Sequence, residues 1–335
     1  MEVNNNFIKS IQPDKINAYK EVLNFIDPEL TSTLSKLPKS VAEKIEEIRL
    51  RNGKPLMISL GSKDYFVTHN GTLEAEPYNC ITIDNKHISR TFQLISNYSI
   101  YSIEEELRNG FITVRGGHRV GITGKVVYGP NGVESIRDVS SLNLRIAKEI
   151  IGVSNDIMRY IIRKPNTIYN TLLVSPPQCG KTTLLRDIIR NISNGIPSIN
   201  FRGLKVGVVD ERSELGGSYK GCPQNDVGVR TDIIDSCRKH EGIMLLLRSM
   251  SPNVIATDEI GDEKDIKAIH EAIKAGVKII STVHGDGISD ILSKPKLKVI
   301  ISEKVFERII IIDNENGVGS LQDILDGNSF KSVLR

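Results

Sequence analysis

The sequence predicts an α/β fold for its second half, a parallel sheet with helices on both faces, preceded by a smaller α+β domain. Three observations carry this. Apolar runs at 171–174, 205–209, 253–257 and 277–283 each stop at a polar residue, with helical stretches between them. That alternation is expected of parallel strands joined by helical crossovers. The first run leads straight into S-P-P-Q-C-G-K-T-T (175–183), a phosphate-loop pattern followed by an amphipathic segment. Much of 45–129, by contrast, reads as short strands broken by N-G and clustered glycines, the habit of strands joined by turns.

Taken in order, residues 1 to about 40 read as polar and helical. From Ile45, I-E-E-I-R-L-R-N-G-K-P-L-M-I-S-L predicts strand, turn, strand. Further strands are expected at 64–68 and 81–83, a helix at 89–107 and a hairpin at 110–129, where glycines interrupt alternating residues. This first domain is expected to span 1–150 and the second 151–335. In the second, the clearest helix is 263–275, with Ile266, Ile269 and Ile273 on one face and Gly276 as its stop. No internal repeat or low-complexity segment occurs.

A length of 335 residues suits two domains. With 39% hydrophobic and 25% charged residues the chain has enough apolar material for packed cores. A net charge of +3 argues for neither nucleic acid nor an acidic membrane as partner. Cys80, Cys179, Cys222 and Cys237 form no C-x-x-C pair, so neither a zinc site nor a disulfide framework is expected, and a reducing compartment fits. The start, M-E-V-N-N-N-F-I-K-S, lacks the basic and apolar regions of a signal peptide. The longest apolar runs, 243–247 and 309–312, fall far short of the ~20 residues that cross a bilayer. The expectation is a cytoplasmic protein without a membrane span, peripheral at a membrane only through partners.

Ligands bind at the carboxyl ends of strands in such sheets, so Lys181, Glu211, Glu259 and His284 should converge on one crevice. Loop amides and the start of the next helix cradle phosphate oxygens. Gly180 permits the tight backbone path, Lys181 reaches the β and γ phosphates, and the Thr182 hydroxyl suits Mg²⁺. Ser175, Pro176, Pro177, Gln178, Cys179 and Thr183 complete the cradle. Ser175 stands at the first glycine of the pattern, where a side chain resists some turn conformations, and Pro176 and Pro177 stiffen that turn. The expected fold is a RecA-like P-loop ATPase domain, and the expected cofactors are ATP and Mg²⁺. Hydrolysis to ADP and phosphate needs an acid that holds the metal and a base that orients water. Asp258 is the candidate metal ligand and Glu259 the candidate base, with Glu211 as the second candidate. An Asp-Glu pair also suits a helix N-terminus on dipole grounds alone. His284 follows the last run in S-T-V-H-G-D-G and either senses the γ-phosphate or couples the site to movement.

The phosphate loop is followed by V-V-D-E-R-S-E (208–214), Y-K-G-C-P-Q-N-D-V-G-V-R-T-D (219–232), L-L-R-S-M-S-P-N-V-I-A-T-D-E-I-G (246–261) and S-T-V-H-G (281–285). In that order these segments resemble the stage III AA family of sporulation proteins and, more broadly, the ATPases of type II and type IV secretion and of type IV pili. R-G-G-H-R-V-G-I-T-G-K-V (115–126) and I-R-D-V-S-S-L-N-L-R-I-A (136–147) extend the likeness into the first domain, so it covers about residues 45–312. The resemblance implies that Glu211 lies in an Asp box, Glu259 in the Walker B segment and His284 in a His box. It implies a homo-hexameric ring that turns ATP hydrolysis into domain motion. For the sporulation members it implies a channel complex between mother cell and forespore, with the ATPase docked on membrane-embedded proteins. It also implies that first-domain arginines approach a nucleotide: Arg119, Arg137 and Arg145 lie in the matching segments, with Arg119 and Arg145 as catalytic candidates. The ATPase domain itself offers Arg230 and Arg248.

Other classes compete. A nucleic-acid-stimulated P-loop translocase would share this core, but the chain has no basic tract and no aromatic-rich stacking segment. An assembly scaffold that binds ATP without hydrolysing it would not need two Asp-Glu pairs at strand ends. A small-molecule kinase would need an acceptor site or lid, and none is identifiable.

Overall fold

The computed structural model describes residues 15–97, 103–130, 132–313 and 319–334, so the helical expectation for residues 1–14 lies outside it. The described residues fall into two compact units, 15–149 and from Ile150 onward.

In the first unit, helices α1 (Lys15–Leu23), α2 (Pro28–Leu34) and α3 (Lys39–Ala42) precede strands β1 (Glu47–Arg51), β2 (Met57–Leu60), β3 (Lys63–Val67) and β4 (Leu73–Glu74). Helices α4 (Asn85–Ile95) and α5 (Glu104–Asn109) follow, then β5 (Phe111–Val114), β6 (His118–Gly129) and β7 (Gly132–Arg145). The seven strands make one antiparallel sheet in the order β4-β3-β2-β1-β7-β6-β5. The alternation in E-I-R-L-R explains its two faces: Ile48 and Leu50 are fully buried, while Glu47, Arg49 and Arg51 lie half-buried on the other side. The expected hairpin at 110–129 is the β5–β6 pair. The expected single helix at 89–107 is instead two helices. α4 begins earlier because Asp84 and His87 form a capping box, and α5 starts anew at Glu104. Residues 81–83 form no named strand but isolated bridges: Ile81 donates to Val67 and accepts from Leu56, and Ile83 donates to Lys54 and accepts from Gly53.

In the second unit, α6 (Met158–Ile161) and the small pair β8 (Ile162–Arg163) and β9 (Thr167–Ile168) lead to β10 (Thr171–Ser175) and α7 (Lys181–Asn194). Then come β11 (Val206–Asp210), β12 (Thr231–Asp235), α8 (Lys239–Ser249), β13 (Val254–Thr257), α9 (Glu263–Lys274) and β14 (Lys278–His284). α10 (Ile288–Ser293), α11 (Pro295–Ser302), β15 (Arg308–Asp313) and β16 (Ser320–Asp326) close the chain. The sheet order is β12-β11-β13-β14-β10-β15-β16, parallel throughout except for β16, which runs against β15. Successive strand residues feed opposite cores. Leu172 and Val174 pack with Ile243, Leu246 and Ile269 of α8 and α9, whereas Leu173 packs with Leu185, Ile188 and Ile192 of α7. Helices thus cover both faces, as expected of the α/β class. Among the described residues no helix is long and apolar enough to cross a membrane.

Candidate nucleotide site

The site starts from β10, whose residues are all buried, so the loop leaving it is held from behind. Ser175 still belongs to that strand, and its Oγ donates to the Pro176 carbonyl at 2.8 Å. It needs no glycine conformation, which corrects the turn strain expected there. Left-handed backbone falls instead on Gln178 (φ 62°) and Gly180 (φ 81°). At Gln178 this costs about 1 kcal/mol, and such residues cluster at ligand clamps. Cys179 is buried, its Sγ 3.5 Å from the Pro177 carbonyl. Gly180 caps α7 without any side-chain hydrogen bond, and no acidic residue occupies the first turn. The leading amides, including those of Thr182 and Thr183, therefore face a region suited to an anion.

Lys181 is buried, and its Nζ lies 3.3 Å from the Ser175 carbonyl, 3.2 Å from that of Pro176 and 2.7 Å from His284 Nδ1. An ammonium only donates, so Nδ1 accepts and the imidazole proton sits on Nε2. Nε2 in turn lies 3.2 Å from Glu259 Oε2. Lys181, His284 and Glu259 thus form a connected chain across the strand ends. Burial lowers the Lys181 pKa, and the Glu259 charge opposes this only in part. Strand register explains the meeting: Ser175 sits level with His284, and Thr257 with Ser281.

The crevice has a volume of about 350 Å³. Gln178, Gly180, Lys181, Thr182 and Thr183 line it from the loop and α7; Asp258, Glu259, Thr282 and His284 line it from the strand ends. A larger groove of about 930 Å³ lies in the first unit, but it lacks this chemistry. Asp258 is buried, and its Oδ1 has no hydrogen-bond partner. Lys239 Nζ stands 3.1 Å from that oxygen as a charge neighbour without a directed hydrogen bond. Burial raises the Asp258 pKa, and Lys239 only partly offsets it. An orphaned carboxylate oxygen in one crevice with the Thr182 hydroxyl fits the donor set of Mg²⁺ with bound water.

Glu211 was expected on the crevice wall but is not among the lining residues; its carboxylate pairs with Lys239 of α8. Sequence reasoning passed over Lys239 and two lining residues, Arg212 and Glu214. Arg212 Nη1 is 4.0 Å from Glu259 Oε2. The signal for the last two was E-R-S-E itself, where the residues after Glu211 went unassigned. Their loop is shaped from both ends: Asp210 accepts the amides of residues 214–216, and Arg186 of α7 donates to the carbonyls of Glu214 and Leu215.

The arginines are placed as follows. Arg230 donates to the Ser193 and Asn194 carbonyls at the end of α7, a capping role. Arg248 lies in the last turn of α8. In the first unit, Arg119 stacks 3.5 Å above the Phe111 ring, Arg145 Nε is 3.3 Å from Glu47 Oε1, and Arg137 lines the larger groove. Asp27, Glu29 and His87 of that unit bring donor atoms within 4.8 Å of one another. Asp27, however, is already engaged, one oxygen capping Glu29 at 2.8 Å and the other 3.5 Å from Arg90.

A family model described as sporulation stage III, protein AA matches residues 18–331. Stage III sporulation protein AA of Bacillus subtilis (strain 168) is 39% identical over 306 residues, covering 91% of this chain and 94% of that protein. Among solved structures, the Legionella pneumophila ATPase DotB superposes with a TM-score of 0.55 at 15% identity, covering 85% of this chain and 78% of that one. The pilus retraction motor PilT, solved with bound ADP, gives a TM-score of 0.54 at 16% identity, covering 88% and 81%. At these identities the structural likeness concerns the fold alone, a RecA-like α/β domain with a preceding antiparallel-sheet domain.

Proposed function

This chain belongs to the sporulation stage III, protein AA family, and on that premise we propose that it is a Mg²⁺-dependent ATP-hydrolysing motor of the secretion type. The observation that carries the reading is the meeting of Lys181, Asp258, Glu259 and His284 at an uncapped helix N-terminus, on the fold of DotB and PilT. The loop amides and Lys181 hold the phosphates. Thr182 and Asp258 are the residues that would hold Mg²⁺, which would supply positive charge to the phosphates when bound. Glu259 orients the attacking water and takes its proton. A phosphate oxygen competes with His284 Nδ1 for the Lys181 ammonium, so nucleotide binding loosens the link from Lys181 through His284 to Glu259.

Steady-state phosphate release with equilibrium nucleotide binding tests this. Lys181→Ala should lose most Mg·ATP affinity. Glu259→Gln should keep ATP bound while hydrolysis falls by about 10²-fold or more, the scale of lost acid–base catalysis. Normal hydrolysis by Glu259→Gln, with loss in Glu211→Gln, would make Glu211 the base. Binding without any phosphate release by the native chain would leave an ATP-binding scaffold.

The same reading includes a homo-hexameric ring, cytoplasmic and peripheral, docked on membrane-embedded proteins and powering a sporulation channel between mother cell and forespore. Its support is the family and the motor fold. A pull-down from sporulating cells with solubilised membranes should recover the docking proteins; recovery of no membrane protein counts against it.

A further inference from the structure

Lys239 opens α8 and is only 6% exposed. Lysine is almost never buried so deeply unless paired. Its ammonium contacts Glu211 Oε2 and stands 3.1 Å from Asp258 Oδ1, so it joins the ends of β11 and β13. Its hydrogen bond goes to Glu211, while Asp258 Oδ1 keeps no directed partner. The charges add to one negative in excess: two carboxylates and one ammonium. Glu211 balances Lys239, which leaves Asp258, a residue of the crevice lining, with an oxygen that has no hydrogen-bond partner. α8 packs close against β11, since a Cβ on its Gly242 would meet Val209 Cγ1 at 2.5 Å.

We propose that Glu211 and Lys239 form a positioning clamp for the metal-holding carboxylate: Lys239 fixes the Asp258 side chain by charge, and Glu211 keeps Lys239 from claiming that carboxylate by hydrogen bond. This rests on the ATPase reading above. It gives Glu211 a role distinct from that of a base, since Glu211 acts through Lys239 and Asp258 and touches no reacting atom. Residues that orient a metal ligand typically govern metal affinity by about 10–100-fold.

The test measures ATP affinity with Mg²⁺ and with EDTA, and hydrolysis against Mg²⁺ concentration, in the full chain carrying Lys239→Met, Lys239→Arg or Glu211→Gln. Affinity in EDTA should stay near the native value, because the phosphate loop is untouched. The enhancement of ATP affinity by Mg²⁺ should fall about 10-fold in Lys239→Met and in Glu211→Gln. Lys239→Arg should restore much of it. Hydrolysis by Glu211→Gln should recover at high Mg²⁺, whereas that of Glu259→Gln should not. An unchanged Mg²⁺ enhancement, or an equal loss with and without Mg²⁺, overturns the clamp. If Lys239→Met fails to fold, Glu211→Gln decides by the same criterion. Native protein that binds Mg·ATP without hydrolysing it refutes the motor reading while leaving the Mg²⁺ enhancement to decide on the clamp.

Discussion

Asp210 ends β11 fully buried, and its oxygens accept amides from Glu214 (2.8 Å), Leu215 (3.0 Å) and Gly216 (2.7 Å). Burial outweighs those donors and pushes its pKa up to about 6. A carboxyl whose pKa is raised on folding binds more protons folded than unfolded between about pH 4 and 6. Its contribution is therefore fullest at low pH and is lost as pH rises through 6. Compared with Asp210→Asn, the native chain should gain about 1 kcal/mol of relative stability between pH 7 and pH 5. Denaturant titration at both pH values reads this directly, and a stability difference that is flat or shrinks on acidification refutes it. The same residue explains what was legible. Lys181, Asp258, Glu259 and His284 stand out in the sequence because each follows an apolar strand closely. Arg212 and Glu214 reach the crevice only because Asp210 and Arg186 fold their loop back, and Lys239 arrives from 28 residues beyond Glu211. Such approaches are tertiary and leave no local pattern.

Among the elements, α8 rests on β11 through glycines that leave no spare room. A Cβ at Gly242 would lie 2.5 Å from Val209 Cγ1, and one at Gly207 would lie 2.9 Å from Leu246 Cδ1. Gly→Ala inside an exposed helix adds up to about 1 kcal/mol of stability. Here the sign should reverse, with Gly242→Ala costing roughly 1–3 kcal/mol as overpacking. A lowered denaturation midpoint, partly regained when Val209→Ala makes space, is the expected result; a raised midpoint would show that α8 yields freely. Elements were legible in proportion to their burial. β10, β11, β13 and β14 lie within a residue or so of the apolar runs, because strands buried on both faces read as continuous apolar stretches. β12 is a half-buried edge strand, T-D-I-I-D, with no such run. β15, R-I-I-I-I-D, was visible only as an apolar stretch, since four such residues fit a buried helix as well as a strand.

At the scale of the whole molecule, each unit's fold is written in its own core, whereas a ring depends on surfaces that carry no periodic signal. One surface of the first unit bears on the proposed ring. Strand register sets Arg119 of β6 directly opposite Arg145 of β7, and Arg145 opposite Glu47 of β1. Like charges directly opposite destabilise a sheet. Burial would raise the Glu47 carboxyl, yet hydrogen bonds from Arg49 and Asn143 and the charges of Arg49 and Arg145 hold it below its ordinary range. The Glu47 carboxylate therefore pairs with Arg49 and Arg145 on a face that also carries Arg51 and Arg119. A purely structural role is the competing account, but the Arg145–Glu47 pair has its arginine 60% exposed, and exposed pairs contribute little. An arginine that meets the γ-phosphate in the transition state is worth about 10³–10⁵ in rate. The hypothesis is that Arg119, Arg137 or Arg145 completes a neighbouring subunit's site. Alanine variants should then bind ATP and assemble normally but hydrolyse slowly. Mixed with Lys181→Ala protein, such a variant should regain activity, because the Lys181→Ala subunit supplies the arginine to an intact nucleotide site. No recovery in rings shown to contain both chains confines the arginine to its own chain or removes it from catalysis.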